Sequence, residues 1–251
     1  MTNALPASFL DRPIAHRGLH DISEGRPENS FEAARAAIQG GFGIELDVQV
    51  SSDGRAMVFH DYELDRVTDE TGAFHARSAS ELSGIRLKGG KEGIPTLEEF
   101  LRRVNGQVPV LVEIKDQDFA LGPNVGPLEA DVARVLAAYR GDVAVMSFNP
   151  HSAAEFQKTL PHVPRGLVTE SFPEDGWPVP APVLARLREI PDYERVGACF
   201  ISHSVHDLDR PRVGELKSKG ADILCWTVRS QDQADEALLF ADNITFEGYL
   251  P

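Results

Sequence analysis

Positive charge is scarce in this chain: 25 lysines and arginines stand against 39 aspartates and glutamates in 251 residues, a formal net charge of -14. The few cations are spread thinly, which disfavours a nucleic-acid surface and leaves no basic patch for a membrane. Long apolar runs are missing too, although 42% of the residues are hydrophobic, and no stretch approaches the roughly 20 residues of a spanning helix. Met1–Leu10 has neither a basic flank nor a sustained apolar segment. No signal peptide is therefore expected, and the cytoplasm is the expected compartment. Only two cysteines occur, Cys199 and Cys225, each inside an apolar run that reads as a separate strand. That excludes a disulfide framework and a cysteine zinc cluster, so both are expected to be packing residues. Sequence repeats and low-complexity segments are also lacking.

What the chain does have is Ile44-Glu-Leu-Asp-Val-Gln-Val50, strict apolar and polar alternation that predicts a strand. Glu45 and Asp47 share one face, about 7 Å apart along the chain. A sheet covered by helices has no solvated face, so these acids are expected to point into an interior and to repel unless a cation lies between them. A divalent metal would serve.

Around this strand the pattern alternates. Pro13–Gly18 predicts a first strand, and Phe31 to Gly40-Gly41 a helix, with Asn29 as its cap and Glu32 as the capping-box partner. Ala56–His60 predicts a third strand. Tyr62–Gly93 is polar, Gly-rich and too long for a plain connection, so an excursion over one barrel end (62–94) is expected. Thr96 caps a helix at Leu97–Val104, with Glu99 completing the box. Val108–Lys115, Val143–Phe148, Arg165–Thr169, Cys199–Ser202 and Ile223–Val228 predict five more strands. Helices are expected at Leu128–Tyr139, His151–Leu160, near Val183–Glu189, at Arg212–Lys219 and at Gln231–Phe240, with a long loop at Phe172–Pro182. Eight strands alternating with helices over about the usual length, with no composition break, argue for one (β/α)8 TIM barrel spanning 1–251.

Active-site groups of such a barrel sit at the C-terminal strand ends. His16, Glu45, Asp47, His60, Glu113, Lys115 and Trp226 all fall near those ends. Glu45, Asp47 and Glu113 offer hard oxygen ligands and no sulfur, so the expected ion is Mg2+ or Ca2+. The competing reading is an ion-pair network with Arg17 and Lys115. Two histidines beside a metal suit proton transfer on a phosphate ester, with Arg17 and Lys115 on its non-bridging oxygens. Trp226 reads equally as barrel packing or as an apolar wall for substrate. His203 and His206 could approach the mouth, while His20, His75, His151 and His162 look like loop surface. Gly89-Gly90 reads as a turn.

The series His16-Arg17-Gly18, Pro27-Glu28-Asn29-Ser30, Glu45-Leu46-Asp47, His60-Asp61, Pro95-Thr96-Leu97, Glu113-Ile114-Lys115 and Trp226-Thr227-Val228 resembles the signature of the glycerophosphodiester phosphodiesterase family, in order across nearly the whole chain. The resemblance implies a TIM barrel with a small insertion after the third strand and a divalent-metal site at Glu45, Asp47 and Glu113. It also implies acid and base roles for His16 and His60, and places Arg17 and Lys115 toward the phosphate. The chemistry it implies is hydrolysis of a small-molecule glycerophosphodiester to glycerol 3-phosphate and an alcohol, through attack by the neighbouring glycerol hydroxyl and a cyclic phosphate. No Ser or Cys is expected beside either histidine, which fits a nucleophile belonging to the substrate. Three departures from the family pattern stand out: Leu64-Asp65-Arg66-Val67-Thr68 after His60-Asp61, a short insertion, and Thr245-Phe246-Glu247 where Thr-Asp is customary. They bear on the leaving alcohol and the glycerol end. Other readings are a related phosphodiesterase or cyclising lyase acting on a lysophospholipid or sugar phosphodiester, and a barrel that binds phosphate esters without turnover. Both intact histidines and all three acids argue against the last.

Overall fold

A computed structural model describes residues 4–251; the Met1–Asn3 part of the N-terminal reading lies outside them. Nine strands form in chain order: β1 (Ile14–Ala15), β2 (Gly43–Val50), β3 (Ala56–Val58), β4 (Val110–Ile114), β5 (Val143–Ser147), β6 (Arg165–Thr169), β7 (Phe200–Ser204), β8 (Asp222–Val228) and β9 (Asn243–Phe246). All but β3 pair in parallel, and β1 closes the ring by pairing with both β2 and β9. The result is the expected TIM-type barrel of eight parallel strands.

The ring has a different member from the one the sequence suggests. Ala56–His60 contributes only β3, which runs antiparallel to the C-terminal half of β2. Five residues separate the two strands, Ser51 to Arg55, and a parallel return needs a crossover of a dozen or more. The eighth barrel strand is instead β9, following the last helix.

The helices are α1 (Ser8–Asp11), α2 (Phe31–Gly40), α3 (Ala79–Gly84), α4 (Leu97–Val104), α5 (Pro127–Ala138), α6 (Pro150–Thr159), α7 (Ala181–Arg188), α8 (Pro211–Ser218) and α9 (Gln231–Ala237). Alternation along β2 places Ile44, Leu46 and Val48 outward, in the large core shared with Phe31 of α2 and Phe100 of α4. The inward side chains form a second core of Ile14, Leu111, Met146, Phe200 and Leu224, into which Leu5 and Phe9 pack from the N-terminal segment. Asn243 ties that segment in place, donating to the carbonyls of Phe9 and Arg12 at 2.6 and 2.7 Å. Gly166 has to be glycine there, since a Cβ would run into the Phe200 ring. Both cysteines are buried and free, as packing residues should be.

The 62–94 segment packs Leu64, Phe74, Leu82, Leu87 and Ile94 against Met57 of β3 and Phe59 in a small core, which is why it is ordered despite weak periodicity. Two capping assignments differ from expectation. Ser30 caps α2, accepting from the Ala33 amide, while Asn29 is drawn into the barrel mouth. Thr96 caps α4 as expected, but Glu99 pairs with Arg103. Among the described residues no helix is long and apolar enough to cross a membrane.

Candidate active site

Alternation along β2 and β4 sends Glu45, Asp47 and Glu113 into the barrel mouth, all three buried. Register aligns Asp47 with Glu113 on the neighbouring strand. One carboxylate oxygen from each lies within 4.8 Å of the others. Burial pushes the Glu45 carboxyl well up, and the charges of Asp47 and Glu113 push it the same way. Burial would also raise Asp47, but Lys115 and the other nearby cationic groups outweigh it and hold Asp47 well down. Lys115 answers directly, with Nζ 2.8 Å from Asp47 Oδ1 and 2.6 Å from Glu113 Oε1. Burial works against its charge, yet those two carboxylates keep the ammonium protonated.

The ion-pair reading is thus partly real, but it leaves Glu45 over. Glu45 Oε2 accepts from the Arg17 amide at 2.9 Å, whereas Glu45 Oε1 is buried without a hydrogen-bond partner. An orphaned carboxylate oxygen facing two further carboxylates fits a hard divalent cation.

Arg17 follows β1 on a left-handed backbone, φ 56°. Its Nε is 3.3 Å from Asp47 Oδ2 and its Nη1 2.8 Å from Glu28 Oε1. Gly18 turns the chain next, at φ 77°; a Cβ there would sit 2.9 Å from that of Ala33. Asn29, also left-handed, donates to Asp47 Oδ2 at 2.9 Å and accepts from the Asp47 amide. This loop therefore orients the acid that the strand supplies.

Each histidine has a carboxylate at Nδ1. His16 Nδ1 is 2.6 Å from Glu247 Oε2, immediately after β9. Its Nε2 lies 3.9 Å from Glu45 Oε2. Burial lowers the His16 pKa, and the Glu247 hydrogen bond opposes without reversing it. A neutral ring with its proton held at Nδ1 presents an Nε2 lone pair to the cavity, the form a proton acceptor needs. His60, after β3, pairs through Nδ1 with Asp61 Oδ1 at 2.6 Å. Burial would raise Asp61, but His60 and Arg66 outweigh it and hold the carboxylate ionised. Arg66 spans Asp61 and Glu28, and so links the two loops.

A cavity of about 200 Å3 joins His16, Arg17, Glu45, His60, Glu113, Lys115 and Trp226. The site candidates other than Asp47 line it, and Asp47 is buried against Lys115. Trp226 donates from Nε1 to the Ser202 carbonyl and packs at nearly a right angle to the Phe148 ring. It is both packed and wall-forming.

Other expectations change. His203 lies in β7, not after it, and points out of the barrel: its Nδ1 meets Thr169 Oγ1 at 2.8 Å and its Nε2 faces Asp207. His206 lines a separate surface hollow. His20, expected on a loop surface, has Nε2 3.6 Å from Glu247 Oε2. A serine does reach the mouth: Ser202 lines the cavity with Thr245. Both hydroxyls are buried without hydrogen-bond partners, so neither has the adjacent base that an enzyme nucleophile requires. Glu28, Asn29, Arg229 and Glu247 are functional neighbours that sequence reasoning missed. The first two stood inside Pro27–Ser30, and Glu247 was visible only as a departure from the family pattern.

The sequence profile of the glycerophosphoryl diester phosphodiesterase family matches residues 16–241. A glycerophosphodiester phosphodiesterase of Caldanaerobacter subterraneus subsp. tengcongensis is 33% identical over 174 residues, 65% of this chain and 69% of that one. Among solved structures, a phosphodiesterase of Oleispira antarctica in complex with the product sn-glycerol-3-phosphate superposes with a TM-score of 0.76 at 24% identity, over 96% of this chain and 94% of that one. A glycerophosphodiester phosphodiesterase from Agrobacterium tumefaciens superposes with a TM-score of 0.67 at 26% identity, over 94% and 95% of the two chains. The profile match over most of the length, together with this relative, shows that the chain belongs to the glycerophosphoryl diester phosphodiesterase family.

Proposed function

We propose that this chain is a divalent-metal-dependent enzyme that hydrolyses glycerophosphodiesters to glycerol 3-phosphate and an alcohol, with a hydroxyl of the substrate attacking phosphorus first. One observation carries the reading: two carboxylate-paired histidines flank three buried carboxylates, one of whose oxygens lacks any partner. Family membership supports the reaction class.

Glu45, Asp47 and Glu113 would hold one Mg2+ or Ca2+, which when bound supplies positive charge to a phosphate oxygen and acidifies a nearby hydroxyl. His16 Nε2 takes the proton of the attacking glycerol hydroxyl, while Glu247 stabilises the imidazolium that forms. His60 gives a proton to the departing alkoxide, with Asp61 holding its ring. Arg17 and Lys115 bind the non-bridging oxygens and share their charge with Glu28, Asp47 and Glu113. The second step runs the roles backwards: water opens the cyclic phosphate as His60 removes its proton and His16 returns one to the ring oxygen.

The substrate hydroxyl is the favoured nucleophile because an intramolecular attack carries a large proximity advantage, and neither hydroxyl in the mouth, Ser202 or Thr245, has a base beside it. Assaying a glycerophosphodiester beside its 2-deoxy analogue, with Mg2+ or Ca2+, tests this. The 2-deoxy compound should be inert; equal rates would mean that water attacks first.

A further inference from the structure

Beyond His60 and Lys115 the small cavity opens into a second space of about 630 Å3, roughly three times the volume of the first. His60, Glu113, Lys115 and Phe148 line both. The end nearest the reacting groups is charged. The rest is walled by Tyr62, Phe119, Leu121 and Trp177, with Phe148 at the junction of the two spaces.

These aromatics present faces, not polar tips. The Tyr62 hydroxyl donates to the Asp116 carbonyl at 2.7 Å, and Trp177 Nε1 donates to Glu170 Oε1 at 2.6 Å. Tyr62 and Phe119 pair with ring centroids 4.0 Å apart, and Phe148 meets Trp177 at 5.0 Å. Phe119 is 47% exposed, and it sits with Leu121 on left-handed backbone, at φ 60° and 50°. Such backbone costs about 1 kcal/mol or more per residue and persists where the surroundings hold it. Here it is held by Asp118, which accepts from the Ala120 amide and from Asn124. A large exposed ring fixed in this way beside a reaction centre needs an apolar contact to cover it.

A cationic head group is the competing occupant, but most of the carboxylates that would hold it are committed, and Glu63, which also lines the space, is exposed to water. Asp61 is taken by His60 and Arg66, Asp116 by Asn149 and the Leu121 amide, and Asp65 by the Gly72 amide. The volume also exceeds what a small amine fills.

We propose that this groove receives a hydrocarbon chain carried by the diester, so that the preferred substrate is a single-chain amphiphile, with its phosphate at the carboxylates and its chain along Tyr62, Phe119, Phe148 and Trp177. The inference rests on the phosphodiesterase reading of the adjoining cavity. The chain can come from either side of the phosphate: the leaving alcohol, or the glycerol of a lysophospholipid.

The test is a homologous series of glycerophospho-n-alkanols, from ethanol to dodecanol, assayed below micelle-forming concentrations beside lysophosphatidylcholine and glycerophosphocholine. In the chain-bearing arm that matches the groove, kcat/KM should rise by about fourfold per methylene over the first several carbons, as expected for burying each CH2. The ratio of long-chain to short-chain kcat/KM should collapse in Phe119→Asp and Trp177→Ala, while the thermal midpoint of Phe119→Asp confirms that it is folded. A flat series with good turnover of the ethanol diester, together with no preference for lysophosphatidylcholine over glycerophosphocholine, overturns the inference and leaves the proposed function standing. So does a choline preference without any chain effect. If no diester turns over, binding of monomeric dodecylphosphocholine, followed by tryptophan fluorescence, decides. Binding lost in Phe119→Asp keeps the chain site and rejects the phosphodiesterase reading; no binding rejects both.

Discussion

His16 and Glu247 stand 231 positions apart in sequence, and their side chains meet at 2.6 Å because β1 and β9 are neighbours in the closed barrel. Arg229, after β8, brings positive charge to the same carboxylate, and His20 Nε2 lies 3.6 Å from it. Their charges and hydrogen bonds, that of His16 above all, hold Glu247 well below the usual carboxylate range. Glu247 is thus an ionised orienter of a neutral imidazole that would otherwise be free to turn. Glu247→Gln should lower kcat by about a hundredfold with little change in KM, since it acts on the proton-transferring ring and not on bound substrate. Glu247→Asp, with a shorter reach, should recover part of that. Steady-state kinetics on glycerophosphocholine check both.

His16→Ala and His60→Ala should each reduce turnover by about a hundredfold or more while divalent-metal affinity stays near wild type. Isothermal titration with Mg2+ or Ca2+ reads the affinity independently of activity. A variant that loses affinity instead of turnover would be a metal ligand.

Glu45→Gln should separate stability from metal binding. Without metal, burial raises the pKa of the Glu45 carboxyl, and the charges of Asp47 and Glu113 raise it further. Neutralising it should leave the thermal midpoint of the chelated protein unchanged or higher. The rise in midpoint on adding Mg2+ or Ca2+ should shrink sharply, because binding to the native state alone is what shifts it. Asp47→Asn should weaken metal binding as well, but it takes one carboxylate partner from each of Lys115 and Arg17 and so should destabilise the chelated protein. Undiminished activity of the wild type after exhaustive chelation would end the metal hypothesis.

Away from the mouth, Asp192 follows α7 with its side chain 3% exposed and 2.6 Å from Arg186 Nη1. Burial would raise its pKa, but Arg186 and Arg195 outweigh that and lower it. A folded value below the unfolded one stabilises at every pH above the unfolded pKa, about 3.9, and that contribution is lost as pH falls through the folded value. Asp192→Asn should therefore cost about 1–3 kcal/mol at pH 7, and the deficit should narrow below about pH 4. Urea unfolding of both proteins at pH 7 and at pH 3 measures the difference.

Much of the barrel was legible because its signals are local. Alternation along Ile44–Val50 and Val108–Lys115 placed three acids on inward faces, and strand-helix alternation implied the barrel. The antiparallel course of Ala56–Val58 departs from the sequence expectation of a third barrel strand, because five residues cannot carry a parallel crossover. Asn243–Phe246 was harder. Its polar side chains, Asn243 and Thr245, face the barrel interior, which hides the apolar character of a buried strand.

The sequence alone determined which face each strand residue occupies and therefore that Glu45, Asp47 and Glu113 converge, because a period of two depends only on backbone geometry. Tertiary structure decided everything that joins distant segments. Closure between β1 and β9 set Glu247 against His16, the turn through Arg17 and Asn29 aimed a loop at Asp47, and packing between the loops after β4 and β6 assembled Phe119 and Trp177 around one groove. Such contacts have no periodicity to read, since they arise from loops whose paths are set by the packing of the whole barrel.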